Sequence, residues 1–248
     1  MMSIIKNPHL PEGEVRRIII GEKYRKVLEN PLKKHNISII CAENNPYVDE
    51  RLSGHVDLSV VHLGDNRIIA AEYLKDSELI NKLVESGFEA EFVDNPKNRD
   101  YPNDALLNVC ILGEKVICNP KTSEPGICRD RTVISCNQGY TKCSVIAVDC
   151  KSIITSDKLI ARNAAMYGIE TLLVNDCFVK LHGFDKGFIG GTAFKISNNK
   201  IAFTGAIDCI ETKNAIESFL NERGIEAVYL TNEKIIDIGS AIPIIEEI

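Results

Sequence analysis

The chain has 248 residues, of which 44% are hydrophobic and 26% charged, and its net charge is −6. This composition predicts a packed core, and the acidic balance disfavours nucleic acid as the main partner, because phosphate binding needs clustered Lys and Arg. No stretch approaches the roughly 18 apolar residues of a membrane span, and the N-terminus lacks the apolar run of a signal peptide, so we expect a cytoplasmic protein with no membrane partner.

Four segments, taken in chain order, each predict an amphipathic helix that leads into a β-rich strand. They are YRKVLENPLKKHN with ISIICA, SELINKLVESG with FEAEFV, DKLIARNAAMYG with IETLLV, and TKNAIESFLNERG with IEAVYL. The helices end at Asn36, Gly87, Gly168 and Gly224. Asn and Gly tolerate the positive φ of a left-handed helix C-cap, so these residues predict the helix ends.

Two apolar strands joined by a short polar turn form the second repeating feature. The copies are HVDLSVVHLGDNRIIAAEYL, NDALLNVCILGEKVICNP, TKCSVIAVDCKSIITS and GGTAFKISNNKIAFTG, and turns such as Asn198-Asn199 suit tight hairpins. One further copy is divided between the chain ends, where RRIIIGEK is completed by the terminal GSAIPIIEEI. In the copy that begins at Asn103, KTSEPGICRDR contains Pro125-Gly126 and predicts a loop, followed by the strand TVISC.

The repeated unit is therefore strand, strand, helix, strand. Five copies predict one α/β domain over residues 1–248, a five-bladed pseudo-symmetric propeller whose ring is closed by the chain termini. The alternative is a doubly wound βαβ sheet, which also alternates strands and helices. The hairpin in every unit favours the propeller.

Five such units resemble the pentein fold of the guanidine-modifying enzymes, which include arginine deiminase, agmatine deiminase and dimethylarginine dimethylaminohydrolase. The resemblance implies that the start of each unit's first strand faces a central channel. The residues it places there are His55, Asp57, Asn103, Asp104, Thr141, Cys143, Gly190, Gly191, Thr192, Gly239 and Ser240. It also implies attack of a Cys thiolate on a guanidinium carbon, with a His transferring protons and carboxylates holding the guanidinium.

Two assignments of these roles are open. Taken in chain order, the resemblance assigns guanidinium binding to Asp57 and Asp104. The family's catalytic His and Cys positions then fall near Thr141 and Ser240. Taken by motif, GHVD resembles the His-x-Asp strand of the deiminases and GYTKCSV the Cys-Ser-Val strand of the dimethylarginine enzyme. The second assignment makes His55 and Cys143 the catalytic pair after a rotation of the ring.

The chemistry of the residues agrees with the motif assignment. Lys142 beside Cys143 and an imidazole at His55 would favour a thiolate below the ordinary pKa of about 8.5. His55 and Asp57 are residues i and i+2, which lie on the same face of a strand, so both side chains would point into the same cavity. The alternative for Cys143 is a packed apolar residue, because the chain has eight other cysteines.

The remaining predicted substrate-binding residues surround this pair. Asp104 would offer a second carboxylate beside Asn103, and Gly191, Thr192 and Ser240 complete the predicted site. Gly190-Gly191-Thr192 lacks the phosphate-loop pattern, so no nucleotide is expected.

We expect neither a metal nor a cofactor. Cys128, Cys136 and Cys143 are spaced too widely for a CxxC zinc pair. The cysteines in apolar runs, such as Cys41, Cys110 and Cys118, indicate reduced thiols. The loop KLHGFDKGF is either a lid over the channel or a connection.

Two functions follow from the sequence. The first is a Cys-dependent hydrolase or deiminase acting on a small cationic guanidine or amidine. The second is a non-catalytic binding or assembly scaffold, as in the pentein-fold ribosome anti-association factor. Convergence of His55, Asp57 and Cys143 in one site would favour the enzyme. The sequence identifies no protein partner.

Overall fold

The computed structural model describes the whole chain, residues 1–248, as a mixed α/β fold with several small sheets. The strands are β1 (Met2–Ile4), β2 (Glu14–Gly21), β3 (Ser38–Ala42), β4 (Val60–Gly64), β5 (Arg67–Ala71), β6 (Glu89–Val93), β7 (Cys110–Leu112), β8 (Lys115–Cys118), β9 (Thr132–Ser135), β10 (Val145–Asp149), β11 (Ser152–Thr155), β12 (Glu170–Leu173), β13 (Ala193–Ser197), β14 (Lys200–Phe203), β15 (Glu226–Tyr229) and β16 (Ile242–Glu247). The helices are α1 (Arg25–Lys33), α2 (Glu78–Glu85), α3 (Pro125–Cys128), α4 (Thr141–Ser144), α5 (Lys158–Met166) and α6 (Ile210–Asn221).

Five separate sheets carry the repeat. Their strand orders are β1-β16-β2-β3, β4-β5-β6, β7-β8-β9, β10-β11-β12 and β13-β14-β15. In four sheets a hairpin forms the antiparallel pair, and in the first sheet β16 and β2 form it. In every sheet the strand after the helix pairs parallel with the second strand of that pair. The strand, strand, helix, strand unit is therefore present five times, and no sheet closes on itself.

The unit that is divided between the chain ends is assembled as the sequence predicts. β16 pairs antiparallel with β2, with Ile242 opposite Ile19. On its other edge β16 pairs with β1, so the terminal strand lies inside a four-stranded sheet. The last residues of the chain thus complete the sheet that the first residues begin.

Local sequence accounts for the helices. Asn36, Gly87, Gly168 and Gly224 all have positive φ, as the predicted left-handed C-caps require. The predicted loop before the strand TVISC is corrected in one respect: residues Pro125–Cys128 form a single helical turn. Pro suits the first position of such a turn, because the N–H that it lacks would have no helical partner there. None of the helices combines the length and apolar character needed to cross a membrane.

Apolar packing joins the sheets in sequence. Each of five clusters of buried residues is shared by two consecutive sheets. The fifth of these clusters joins the last sheet to the first, where Phe194 and Ile196 pack with Ile18 and Ile20. Every sheet therefore contacts both its predecessor and its successor.

Candidate active site

The central polar residues lie on short helical turns that precede the first strand of a unit. His55 immediately precedes the 3-10 turn Val56–Leu58, and its carbonyl accepts a hydrogen bond from Leu58 N at 3.1 Å. Cys143 lies in the helical turn α4. The prediction that His55 and Asp57 alternate on one strand face is therefore wrong, because a 3-10 hydrogen bond closes the backbone there.

Cys143 and Asp57 are nevertheless in direct contact. Sγ of Cys143 donates a hydrogen bond to Oδ2 of Asp57 at 3.0 Å, although 86 positions separate the two residues. Nδ2 of Asn108 donates to the same Sγ at 3.3 Å. Oδ1 of Asn108 accepts from the backbone N–H groups of Lys142, at 2.7 Å, and Cys143, at 3.2 Å. Asn108 thus fixes both the turn and the thiol that it carries.

His55 completes the group on the other side of Asp57. One side-chain polar atom from each of His55, Asp57 and Cys143 lies within 4.8 Å of the other two, and all three side chains are buried. Nε2 of His55 lies 4.0 Å from Oδ1 of Asp237. The ring of Tyr24 packs against His55 with the centroids 6.1 Å apart. The structure therefore contains a buried row of thiol, carboxyl, imidazole and carboxyl groups.

Asp237 is held firmly in this position. Its Oδ1 accepts from Gly239 N and its Oδ2 from Phe188 N, both at 2.9 Å. A Cβ at Gly191 would lie 1.9 Å from Oδ1 of Asp237, and a Cβ at Gly239 would lie 2.4 Å from Cβ of His55. Both glycines are therefore required for the backbone to approach the row this closely.

A lysine lies beneath the row. The ammonium of Lys142 is buried and donates to Oγ of Ser240 at 2.9 Å and to the carbonyl of Gly190 at 3.3 Å. It forms no ion pair with a carboxylate. Its charge nevertheless favours the ionised form of Asp57 and so lowers the pKa of that carboxyl.

Burial sets the protonation of the three central groups. It raises the pKa of Asp57 to about 7, although the hydrogen bond from Cys143 and the charge of Lys142 oppose the rise. Burial, followed by the charges of Asp57 and Asp237, raises the pKa of Cys143 well above its ordinary value. Burial also lowers the pKa of His55. The expected low pKa of Cys143 is therefore not found, because these causes favour the neutral thiol.

Two buried polar atoms of this group have no hydrogen-bond partner: Nε2 of His55 and Oδ1 of Asp57. Buried polar atoms are rarely left unpaired, because desolvation without a new hydrogen bond is unfavourable. Both atoms belong to residues of the group around Cys143. A ligand with N–H groups would satisfy both.

The other predicted site residues are distributed around this centre. Asp104 is buried and accepts a hydrogen bond from Oη of Tyr140 at 2.5 Å, next to α4. Asn103 is exposed and donates to the Asp100 carbonyl. Thr192 is buried but its hydroxyl donates to the carbonyl of Ile189. The structure therefore brings together Cys143, His55, Asp57, Gly191 and Ser240, and it leaves Asn103 outside.

Sequence reasoning missed Asn108 and Asp237. Asn108 occupies the position of Cys143 in the preceding unit, because each lies two residues before the first residue of its strand, Cys110 and Val145. Aligning the strand starts would have identified it. Asp237 lies three residues before Ser240, at a place where the sequence pattern assigned no side chain to the channel.

A cleft of about 490 Å³ reaches this group from the surface. Asp237 and Tyr24 line it, together with residues 177–185, which belong to the loop KLHGFDKGF and the segment before it. Arg51 contacts the loop by donating to the carbonyl of Gly183 at 2.7 Å and lies 4.0 Å from the ring centroid of Phe184. His55 and Cys143 do not line the cleft, which borders the group at Tyr24 and Asp237.

His55, Asp57 and Cys143 also carry the donor types of a zinc site. The contacts at Cys143 are those of a thiol, because Sγ lies at hydrogen-bond distance from both Asp57 and Asn108. The two unpartnered atoms and the neutral thiol fit an organic cation with several N–H groups at least as well as they fit a zinc ion.

Comparisons with known proteins agree with this architecture. An inosamine-phosphate amidinotransferase from Streptomyces griseus is 11% identical over 98% of this chain and 97% of its own, with a TM-score of 0.58. Agmatine deiminase from C. jejuni is 8% identical over 93% of this chain and 90% of its own, with a TM-score of 0.55. DDAH from Pseudomonas aeruginosa, in a complex with citrulline, is 10% identical over 87% of this chain and 92% of its own, with a TM-score of 0.51.

At such low sequence identities the structural similarity shows a shared fold and no shared activity. No curated protein matches the sequence. A family model does match, over residues 19–242, and its description is "Family of unknown function (DUF6873)". The resemblance that the repeat suggested is confirmed: the chain belongs to the family DUF6873 and has the fold of the pentein superfamily of guanidine-modifying enzymes.

Proposed function

We propose that this protein is a Cys-dependent hydrolase or deiminase of a small guanidine or amidine, with Cys143 as nucleophile and His55 as general acid and base. The observation that carries the proposal is the convergence of Cys143, Asp57 and His55 within 4.8 Å, with Nε2 of His55 and Oδ1 of Asp57 unpartnered. A guanidinium is planar and rich in N–H donors, so it suits such acceptors. The nearby carboxylate of Asp237 would stabilise the imidazolium that forms on His55.

We also propose that the five sheets form a closed five-bladed ring with this site at its axis. The support is the set of five apolar clusters, each shared by consecutive sheets, including the last and the first. Residues from different units then meet at the centre. Cys143, Asn108, Asp57 and Asp237 follow this rule, because each belongs to a different unit.

Binding of the cation would activate the site. A guanidinium next to Asp57 and Cys143 favours their ionised forms, and so reverses the effect of burial on both pKa values. The Cys143 proton moves to Nε2 of His55, and the thiolate attacks the guanidinium carbon, forming a C–S bond. This step needs no metal or cofactor from outside the chain.

The intermediate then breaks down through the same histidine. His55 gives its proton to the leaving nitrogen as the C–N bond breaks, which leaves an S-alkylthiouronium on Cys143. Water loses a proton to His55 and attacks the same carbon, and the C–S bond breaks. The products are a urea and ammonia or an amine, and Cys143 and His55 return to their starting states.

One observation favours the non-catalytic scaffold instead. Cys143 is only 2% exposed, and its burial raises the pKa of the thiol well above the ordinary value. A packed strand-end cysteine has the same properties. The two functions differ in whether a cationic reagent can reach the thiol while the protein is folded.

Chloroacetamidine tests this difference. Its amidinium mimics the guanidinium, and its chloromethyl carbon alkylates a thiolate with release of chloride. We expect peptide mass mapping to place the adduct at Cys143 in the folded protein. The exposed Cys150 and Cys177 are internal controls. The rate with chloroacetamidine, divided by the rate with the uncharged iodoacetamide, should be higher at Cys143 than at either control.

Variants and a chelator sharpen the result. His55→Ala should slow labelling of Cys143 and leave labelling of Cys150 unchanged, whereas EDTA should change neither. Labelling of Cys143 that appears only as denaturant unfolds the chain would support the scaffold and overturn the proposed enzyme.

A further inference from the structure

The cleft beside the candidate active site is lined by several lysines, although the protein as a whole is acidic. Lys23, Lys180 and Lys234 all line it, although the chain as a whole has a net charge of −6. Its inner end is Asp237, which faces His55 across 4.0 Å. The cleft therefore combines an acidic and aromatic boundary at Asp237 and Tyr24 with three lysines.

Lys180 is the best placed of these lysines. Its N–H donates to the carbonyl of Ile235, and its carbonyl accepts from Asp237 N at 2.9 Å. The two bonds fix its backbone directly beside the carboxyl that faces His55. Its ammonium is exposed and forms no ion pair, so it is free to meet a ligand charge.

The other two lysines surround the same opening. Nζ of Lys23 donates only to backbone carbonyls, those of Glu50 and Arg51, and its charge is close enough to lower the pKa of His55. Lys234 is partly neutralised by Asp208 at 3.5 Å. Asp185 is the one carboxylate on the outer wall, and it is exposed.

We infer that the substrate carries an anionic group, a carboxylate or a phosphate, at the far end from its guanidine. This inference rests on the proposed function and narrows its substrate class. The guanidinium would occupy the row of His55, Asp57 and Cys143, and the anion would lie against Lys180 with Lys23 nearby. Apolar side chains such as Phe178 and Val179 also line the cleft and suit a short hydrocarbon spacer. The volume of about 490 Å³ lies within the range of small-molecule sites.

A matched series of guanidines tests the inference through protection of Cys143 against chloroacetamidine. Butylguanidine is neutral at its far end, its ω-amino derivative is cationic, and γ-guanidinobutyrate and guanidinoethyl phosphate are anionic. We expect the anionic compounds to protect at concentrations about threefold to tenfold lower than butylguanidine, as two or three exposed ion pairs would give. The amino derivative should protect least. The better of the two anionic compounds identifies the anion.

Substitutions connect the preference to the lysines. We compare the concentrations of butylguanidine and γ-guanidinobutyrate that protect Cys143 equally. The ratio of the first concentration to the second should fall towards one in Lys180→Met, and further with Lys23→Met added. It should persist in Lys180→Arg, which keeps the charge, and in Lys121→Met, an exposed lysine outside the cleft. The wild-type ratio should also fall at high salt, because exposed charges are screened.

The possible outcomes separate the two claims. If Cys143 is not labelled in the folded protein, the proposed function fails. If Cys143 is labelled and the guanidines protect it equally, whatever charge they carry at the end opposite the guanidine, the proposed function stands and the inference fails. An anionic preference that survives Lys180→Met with Lys23→Met also overturns the inference.

Discussion

Replacing Asp57 by Asn should make the protein more stable at alkaline pH. Burial raises the pKa of Asp57 from 3.8 to about 7, so the folded protein holds this proton more tightly than the unfolded chain does. Between these pH values the folded state binds more protons, and stability therefore falls as the pH rises. Above about pH 7 the folded protein carries the whole penalty of a buried, ionised carboxylate.

The magnitude follows from the pKa difference. One pKa unit corresponds to about 1.4 kcal/mol, so the rise to about 7 corresponds to about 4 kcal/mol. Asn cannot ionise, and its side-chain oxygen can still accept the hydrogen bond from Sγ of Cys143. We therefore expect the stability of Asp57→Asn relative to wild type to increase by about 4 kcal/mol between about pH 4 and pH 8.

The assay is urea unfolding at a series of pH values, and the measured quantity is the difference between variant and wild type. The difference removes the contributions of other buried groups, such as His55 and Asp104, which titrate in both proteins. Asp76→Asn is the control, because that carboxyl is exposed. A difference for Asp57→Asn that stays constant within about 1 kcal/mol over this range would refute the reasoning.

The same substitution should weaken binding of a guanidine by about 1.5 to 3 kcal/mol, the range for a hydrogen bond to a charged group. Calorimetry at pH 8 measures this directly, and equal affinities would exclude Asp57 as the ligand group. Greater stability together with weaker binding is the pattern expected of a functional site.

Three further substitutions test the construction of the site and the sheet. Gly191→Ala places a Cβ 1.9 Å from Oδ1 of Asp237, so it should displace that carboxyl and suppress chloroacetamidine labelling; labelling at the wild-type rate would contradict this. Asn108→Ala leaves two backbone N–H groups of α4 without an acceptor, so it should lower the free energy of unfolding, measured in urea, by about 2 to 4 kcal/mol. A loss below about 0.5 kcal/mol would speak against the contact. Ile244→Ala empties part of the core under β16 and should lose about 2 to 5 kcal/mol, whereas the exposed Ile248→Ala should lose almost nothing.

The features predicted correctly from the sequence are those with a local cause. The C-caps at Gly87 and Gly168 follow from the φ that the backbone needs there, and the helices before them follow from apolar periodicity. The return of β16 to β2 could also be predicted, because the first unit lacked one strand and the last residues supplied it. These elements are fixed by patterns that repeat within each unit.

The contacts at the site have no such pattern. Asp237 comes near His55 only because the start of the divided first unit lies beside that of the second, and Gly191 leaves room for its carboxyl. Asn108 likewise meets Cys143 from the neighbouring unit. A single carboxyl or amide on an irregular turn has no periodicity to reveal it, so only the packed structure could identify these partners.

The buried polar groups of the site carry several unfavourable features at once, and a single kind of ligand would relieve all of them. Asp57 is buried with an unpartnered oxygen and His55 with an unpartnered nitrogen. Burial, followed by the charges of Asp57 and Asp237, raises the pKa of Cys143 and keeps its thiol neutral. Apolar side chains of similar size would remove all three penalties in a protein that needed only a scaffold. A bound cation removes them as well, because it pairs with the carboxyl, occupies the unpartnered atoms and favours the thiolate. The pattern of penalties at Asp57, His55 and Cys143 therefore matches the charge and hydrogen-bonding groups of a guanidinium more closely than it matches the needs of a packed core.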